Sequence, residues 1–131
     1  LSKYEKQANK FLKDTGTSFK TKFLEFNKYF PADKDKRDIY LITLKRGERE
    51  YSFKFGTSIN DTERKIKPSV YSVLACLQKY EVGTLEDFCA DFGYSEDSIK
   101  AEKTYKAVLE EYNNLKMLYS SAELEKMQEI V

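Results

Sequence analysis

Two alternating runs on either side of Arg46-Gly47-Glu48-Arg49 constrain this chain most. Residues Ile39 to Lys45 and Tyr51 to Phe55 are rich in β-branched and aromatic side chains, and a short glycine-containing spacer between such runs predicts a hairpin. Tyr51, Phe53 and Phe55 share one face while Ser52 and Lys54 share the other. In the first run Tyr40, Ile42 and Leu44 alternate with Ile39, Leu41 and Thr43, so that strand is expected to be central and its partner half-buried. Upstream, Phe19-Lys20-Thr21-Lys22-Phe23 also alternates, and Phe23-Leu24 breaks phase before Phe26, which predicts a third strand with a bulge. A polar loop, Pro31 to Lys36, leads into the hairpin. A meander of three strands cannot hide its own apolar face, so helices must cover it.

The rest of the chain supplies those helices. Ser2 can cap a first one carrying Tyr4, Ala8, Phe11 and Leu12 at helical spacing, with its end near Asp14-Thr15-Gly16. The chain turns polar from Thr57 to Lys67. After Pro68-Ser69, the run Val70 to Tyr80 has apolar positions on more than one stripe and predicts a core helix. Thr84 and Asp87 have capping-box spacing before Leu85 to Phe92, and Gly93 ends that segment. Ser95 is expected to cap the longest helix, whose stripe is Ala101, Tyr105, Val108, Leu109, Tyr112, Leu115 and Tyr119. Ser120-Ser121 ends it, and Leu124, Met127 and Ile130 mark a last amphipathic helix. The expected fold class is α+β: an N-terminal helix and a three-stranded antiparallel meander, then a helical C-terminal half with a helix-turn-helix-like element.

At 131 residues the chain suits a single compact domain, 1–131, and its 40% apolar and 15% aromatic content is enough to build a core. The net charge of +1 conceals a split. Residues 1–67 carry 17 Lys and Arg against 10 Asp and Glu, whereas residues 68–131 carry 6 against 12. The lobes expected on either side of Pro68 are thus a basic helix-plus-sheet segment, 1–67, and an acidic helical one, 68–131. No apolar run approaches the roughly 20 residues of a membrane span, and Leu1 to Lys6 shows no signal-peptide core, so the expected setting is cytoplasmic with no membrane partner. Cys76 and Cys89 are too few for a disulfide framework and read as small buried hydrophobes.

The chain contains no histidine, which removes the commonest general base, nucleophile activator and metal ligand together. Two separated cysteines do not close a zinc site, and the five glycines form no phosphate-cradling loop. No catalytic residue and no cofactor are therefore assigned. Asp38, Glu48, Glu50 and Lys54 surround the hairpin as the acids and lysine of a metal-dependent nuclease would, but Glu50 and Lys54 lack tight Glu-x-Lys spacing. Charges guarding a sheet edge explain the same residues.

Two surfaces remain. Lys20, Lys22 and Lys54 are expected on one outer sheet face, close in sequence to Lys28, Lys45, Arg46 and Arg49, as a candidate surface for nucleic acid or an acidic partner. The plainer expectation is that the rings face the core and the lysines only wet the other side. Glu86, Asp87, Asp91, Glu96 and Asp97 form a candidate acidic interaction surface. In the helix-turn-helix-like segment Cys89 lies four residues before Gly93, and Phe88, Phe92, Tyr94 and Ile99 take core positions. A second helix opening on Glu96 and Asp97 suits a protein contact better than DNA.

The runs Tyr71 to Leu77, Glu86 to Tyr94 and Lys100 to Val108, with Arg37-Asp38-Ile39-Tyr40 and Tyr51-Ser52-Phe53, resemble a group of small uncharacterised proteins encoded by bacteriophages and prophages. The resemblance brings no catalytic residues. It implies a bacterial cytoplasmic setting and an accessory role: inhibition of host defence, CRISPR systems included, or assistance to DNA metabolism. The functional expectation is a non-enzymatic protein that binds a host or phage macromolecule stoichiometrically, most readily a protein. A nucleic-acid-binding accessory protein using the basic half is the alternative, and a nuclease the remote one.

Overall fold

The computed structural model describes residues 2–29, 36–58, 67–79, 81, 83–95 and 98–130. The loop expected over Pro31 to Lys36 lies outside these residues except for Lys36, which begins a strand instead; most of the polar stretch before Pro68 also lies outside them, as does Tyr80. The described elements are α1 (Lys3–Thr15), β1 (Ser18–Tyr29), β2 (Lys36–Arg46), β3 (Arg49–Ser58), α2 (Val70–Cys76), α3 (Leu85–Phe92), α4 (Ile99–Leu118) and α5 (Ser121–Gln128). The fold is α+β, with the helix, the antiparallel sheet and the later helices in the expected order.

The sheet runs β1-β2-β3 with β2 central. Arg46 pairs with Arg49 across the tight turn, and Gly47 takes a left-handed φ of 63°, which a primed hairpin turn requires at its first central position. Phe23 pairs with Tyr40 but Glu25 with Ile39, so the bulge falls where the alternation breaks; a second register shift follows between Glu25 and Lys28.

Register sorts the side chains into two faces. Phe19, Leu44 and Tyr51 align in one row, and Thr21, Ile42 and Phe53 in the next. These rows face the helices. One buried cluster joins Leu44 to Ala8, Phe11 and Leu12 of α1, Leu74 and Leu77 of the α2 region, and Leu115, Leu118, Leu124 and Met127 of α4 and α5. Residues before and after Pro68 thus share a core. Tyr40, Ile42 and Val73 form a second buried cluster at the other end of the same face.

Capping explains most helix boundaries. The Ser2 hydroxyl accepts from the Glu5 N–H at 3.1 Å, and Gly16 closes α1 at φ 65°. Thr84 and Asp87 form a reciprocal capping box on α3, and Gly93 ends that helix in the left-handed region. Ser120 and Glu123 form a second box that starts α5.

Three expectations need correction. The helix expected over residues 70–80 ends at Cys76, and Leu77 is extended yet buried. Its next backbone groups are satisfied from elsewhere: the Gln78 N–H donates to Glu111, and the Lys79 carbonyl accepts from the Gln128 amide at 3.2 Å. The cap of α4 is Ser98 rather than Ser95, because the Ser95 carbonyl already accepts the Ser98 N–H in a turn at 3.0 Å. Ile99, expected in the core, is 71% exposed.

Those last two facts bear on the helix-turn-helix-like segment. Phe88 is buried as expected and stacks on the half-buried Tyr94 with ring centroids 5.8 Å apart. The connection from α3 to α4, however, occupies residues 93–98, longer than the roughly three or four residues of a compact helix-turn-helix. The two helices are established; that motif is not. Among the described residues, no helix is long and apolar enough to cross a membrane.

Candidate functional site

The second face of the sheet carries the candidate site. Outward rows across β1, β2 and β3 are Ser18, Lys45 and Glu50; then Lys20, Thr43 and Ser52; then Lys22, Leu41 and Lys54. Lys20, Lys22, Lys45, Ser52 and Lys54 are exposed, while Thr43 and Leu41 are half-buried between them. Strict alternation produces this arrangement, because the residues that place aromatics against the helices turn their neighbours outward.

Three lysines stand apart from local acids. Lys45 lies across from Glu50, an opposite-charge pair of positions. Lys20 lies across from Thr43, and Lys22 and Lys54 flank Leu41. The ion pairs described in the structure, Arg46 with Glu123 and Lys106 with Glu102, involve none of these three. Glu25, exposed just past the bulge, and Glu50 mark the two ends of the face. Thr43 and Ser52 hydrogen-bond to each other at 3.0 Å at the centre of the face.

Arg46 and Arg49 do not join this face. The Arg46 guanidinium donates to both Glu123 carboxylate oxygens at 2.7 Å and to the Leu118 carbonyl at 2.8 Å, and lies 5.5 Å from the centroid of the Tyr119 ring. Arg49 donates to the Met117 carbonyl at 2.8 Å. The hairpin tip therefore caps the last carbonyls of α4, where positive charge is favoured. Arg46 donors, aided by the Ser120 N–H, hold the Glu123 carboxyl down at about 2. Beside this clasp, the buried Tyr119 hydroxyl is hydrogen-bonded to Thr17 at 2.9 Å, and Thr17 to Thr15 at 2.8 Å. Sequence reading missed the clasp, since its partners lie about seventy residues apart and no local pattern joins them.

The remaining candidates separate. Lys28's side chain lies outside the described residues, as do Glu96 and Asp97. Glu86, Asp87 and Asp91 are exposed on α3, with Asp87 engaged in the capping box. The nuclease-like set does not converge: Asp38 is buried at the inner end of β2, beside Thr57, whereas Glu50 and Lys54 face outward and Glu48 sits in the turn. Among the described residues, no three acids or cysteines are grouped to hold a metal ion. Cys89 is buried as expected, but Cys76, at the end of α2, is exposed because the helix stops there.

Burial perturbs several groups away from the lysine face. It pushes the Tyr51 phenol up to about 12, with Glu111 and Glu110 adding to the shift. It raises the Glu111 carboxyl against the opposing hydrogen bond from Gln78. Lys79, 5% exposed, is lowered by burial, and its ammonium donates to the Ala75 carbonyl at 3.4 Å. Tyr51, Glu111 and the Gln78–Lys79 segment are linked to one another, on the helix-covered side of the sheet away from the lysines.

Fold and face together define an α+β protein with one helix-covered and one lysine-bearing sheet surface. Comparison with known protein families, curated proteins and solved structures finds no match.

Proposed function

We propose that this chain is a non-enzymatic binding protein that occupies an anionic host or phage macromolecule stoichiometrically, with the outer sheet face making the contact. The observation that carries the reading is the position of Lys20, Lys22 and Lys54 around Leu41 on one exposed face. Occlusion needs a shaped, charged surface and no reacting group, and such a surface speeds and orients encounter with an oppositely charged partner. The acidic C-terminal half repels the same partner from the other side. Within the phage resemblance, the role this supports is interference with a host system such as bacterial defence, CRISPR systems included.

The test is retention from host lysate on the immobilised protein, with the Lys20→Glu, Lys22→Glu, Lys54→Glu triple variant as control. A specific partner held by the parent and lost by the variant is expected. Equal retention by both, or no specific partner on the parent, defeats the reading.

A nucleic-acid-binding accessory role is the second reading, favoured by the same three cations. Phe19, Tyr51 and Phe53 pack against the core rather than on the lysine face, so no described ring there is placed to stack on unpaired bases. Duplex phosphates are the form of nucleic acid that this face suits.

A further inference from the structure

Resting on the lysine-face reading, we infer that the surface is built for an acidic protein segment that also carries apolar side chains, with Leu41 at the centre of the contact. Leu41 lies half-buried between Lys22 and Lys54 in one row, and the next row on the same face holds the buried Ile39, so an apolar strip along β2 begins at Leu41 among lysines and hydroxyls. Protein interfaces commonly place an apolar centre inside a charged rim, where the centre loses water and the rim selects the partner. A phosphate backbone offers nothing to cover Leu41.

Magnitudes favour the same partner. Three phosphate contacts give a salt slope of only about −2.7, far short of the six to ten contacts that support tight duplex binding. Glu50 and Glu25, at the ends of the face, would meet further phosphates of a long polyanion. An acidic protein patch ends where its sequence ends, and its own basic residues can pair with those two carboxylates. The short Thr43 and Ser52 side chains beside Lys20 leave a flat segment room to reach both lysine rows together.

Fluorescence polarisation at low salt separates these alternatives, with three labelled probes: a random Glu–Tyr copolymer, polyglutamate of matched length, and duplex DNA of matched charge. The copolymer is expected to bind about fivefold more tightly than polyglutamate. Leu41→Thr, a strand-compatible change verified as folded by circular dichroism, should erase that preference and leave polyglutamate binding unchanged. The triple lysine-to-glutamate variant should lose both polypeptides. Equal binding of the two polypeptides, or a preference that survives Leu41→Thr, overturns the apolar-centred contact. Duplex DNA binding as tightly as the copolymer overturns the protein partner while the lysine-face reading stands. Absence of binding by all three probes removes the lysine-face reading itself.

Discussion

The two faces of the sheet are made by the same strands and differ by one step along the chain. Inward from β2, Ile42 and Leu44 are fully buried beneath helices. Outward, Leu41 and Thr43 are half-buried among exposed lysines. The clusters that join sheet to helices lie on the first face, while the rows of Leu41 and Thr43 on the second carry the exposed lysines proposed for recognition. Substitutions that respect this division should therefore damage folding or binding, but not both.

The sharpest separation comes from truncating neighbouring leucines. Leu44→Ala should cost about 2–5 kcal/mol because it opens a cavity in the shared core, whereas Leu41→Ala should cost about 1 kcal/mol or less. Urea unfolding of both variants tests this, and equal losses would erase the distinction between the faces. The next largest effect is expected at the hairpin clasp. Arg46→Met should lose about 1–2 kcal/mol, since the bidentate bonds to Glu123 go while both groups keep partial access to water.

That clasp also sets a pH window. The Glu123 carboxyl is depressed from an ordinary 4.5 to about 2, so its contribution is complete above about 4.5 and fades as pH falls toward 2. The melting-temperature gap between the parent and Glu123→Gln should be constant near neutrality and close across that interval. A gap unchanged at pH 2 would show that the pair is not ionic. Tyr119→Phe should cost about 1 kcal/mol by removing the hydroxyl bonded to Thr17. Last, the triple change at Lys20, Lys22 and Lys54 should alter thermal stability by no more than about 0.5 kcal/mol per site, and a larger loss would mean that these lysines serve the fold.

What was legible in the sequence follows from the range of the interactions. The hairpin, the bulge after Phe23 and the α3 caps depend on residues close in the chain, so alternation and spacing revealed them. Placement of Lys20, Lys22 and Lys54 on one face followed from period two once the strands were recognised. The end of α2 was not legible, because Gln78 and Lys79 find their hydrogen-bond partners on α4 and α5. Ser95 and Ser98 are equally able to cap, and only the turn closed by the Ser95 carbonyl decides between them. Arg46 and Arg49 looked like surface cations for the same reason: the carbonyls they cap belong to a helix far along the chain.

The interrupted register of β1 has a consequence for how much of this protein a cell can hold. On the one-to-one binding proposed above, the chain must accumulate to the concentration of its target, and an edge strand is then a template on which further chains can polymerise. β1 is an edge strand, yet its pairing shifts twice, after Phe23 and again after Glu25, and Lys20 and Lys22 precede the first shift. Bulges and charges of this kind deny an incoming strand a continuous ladder. The irregular edge of the sheet is thus β1, whereas β3, the opposite edge, pairs without a shift from Arg49 to Ser58 and is the more regular template.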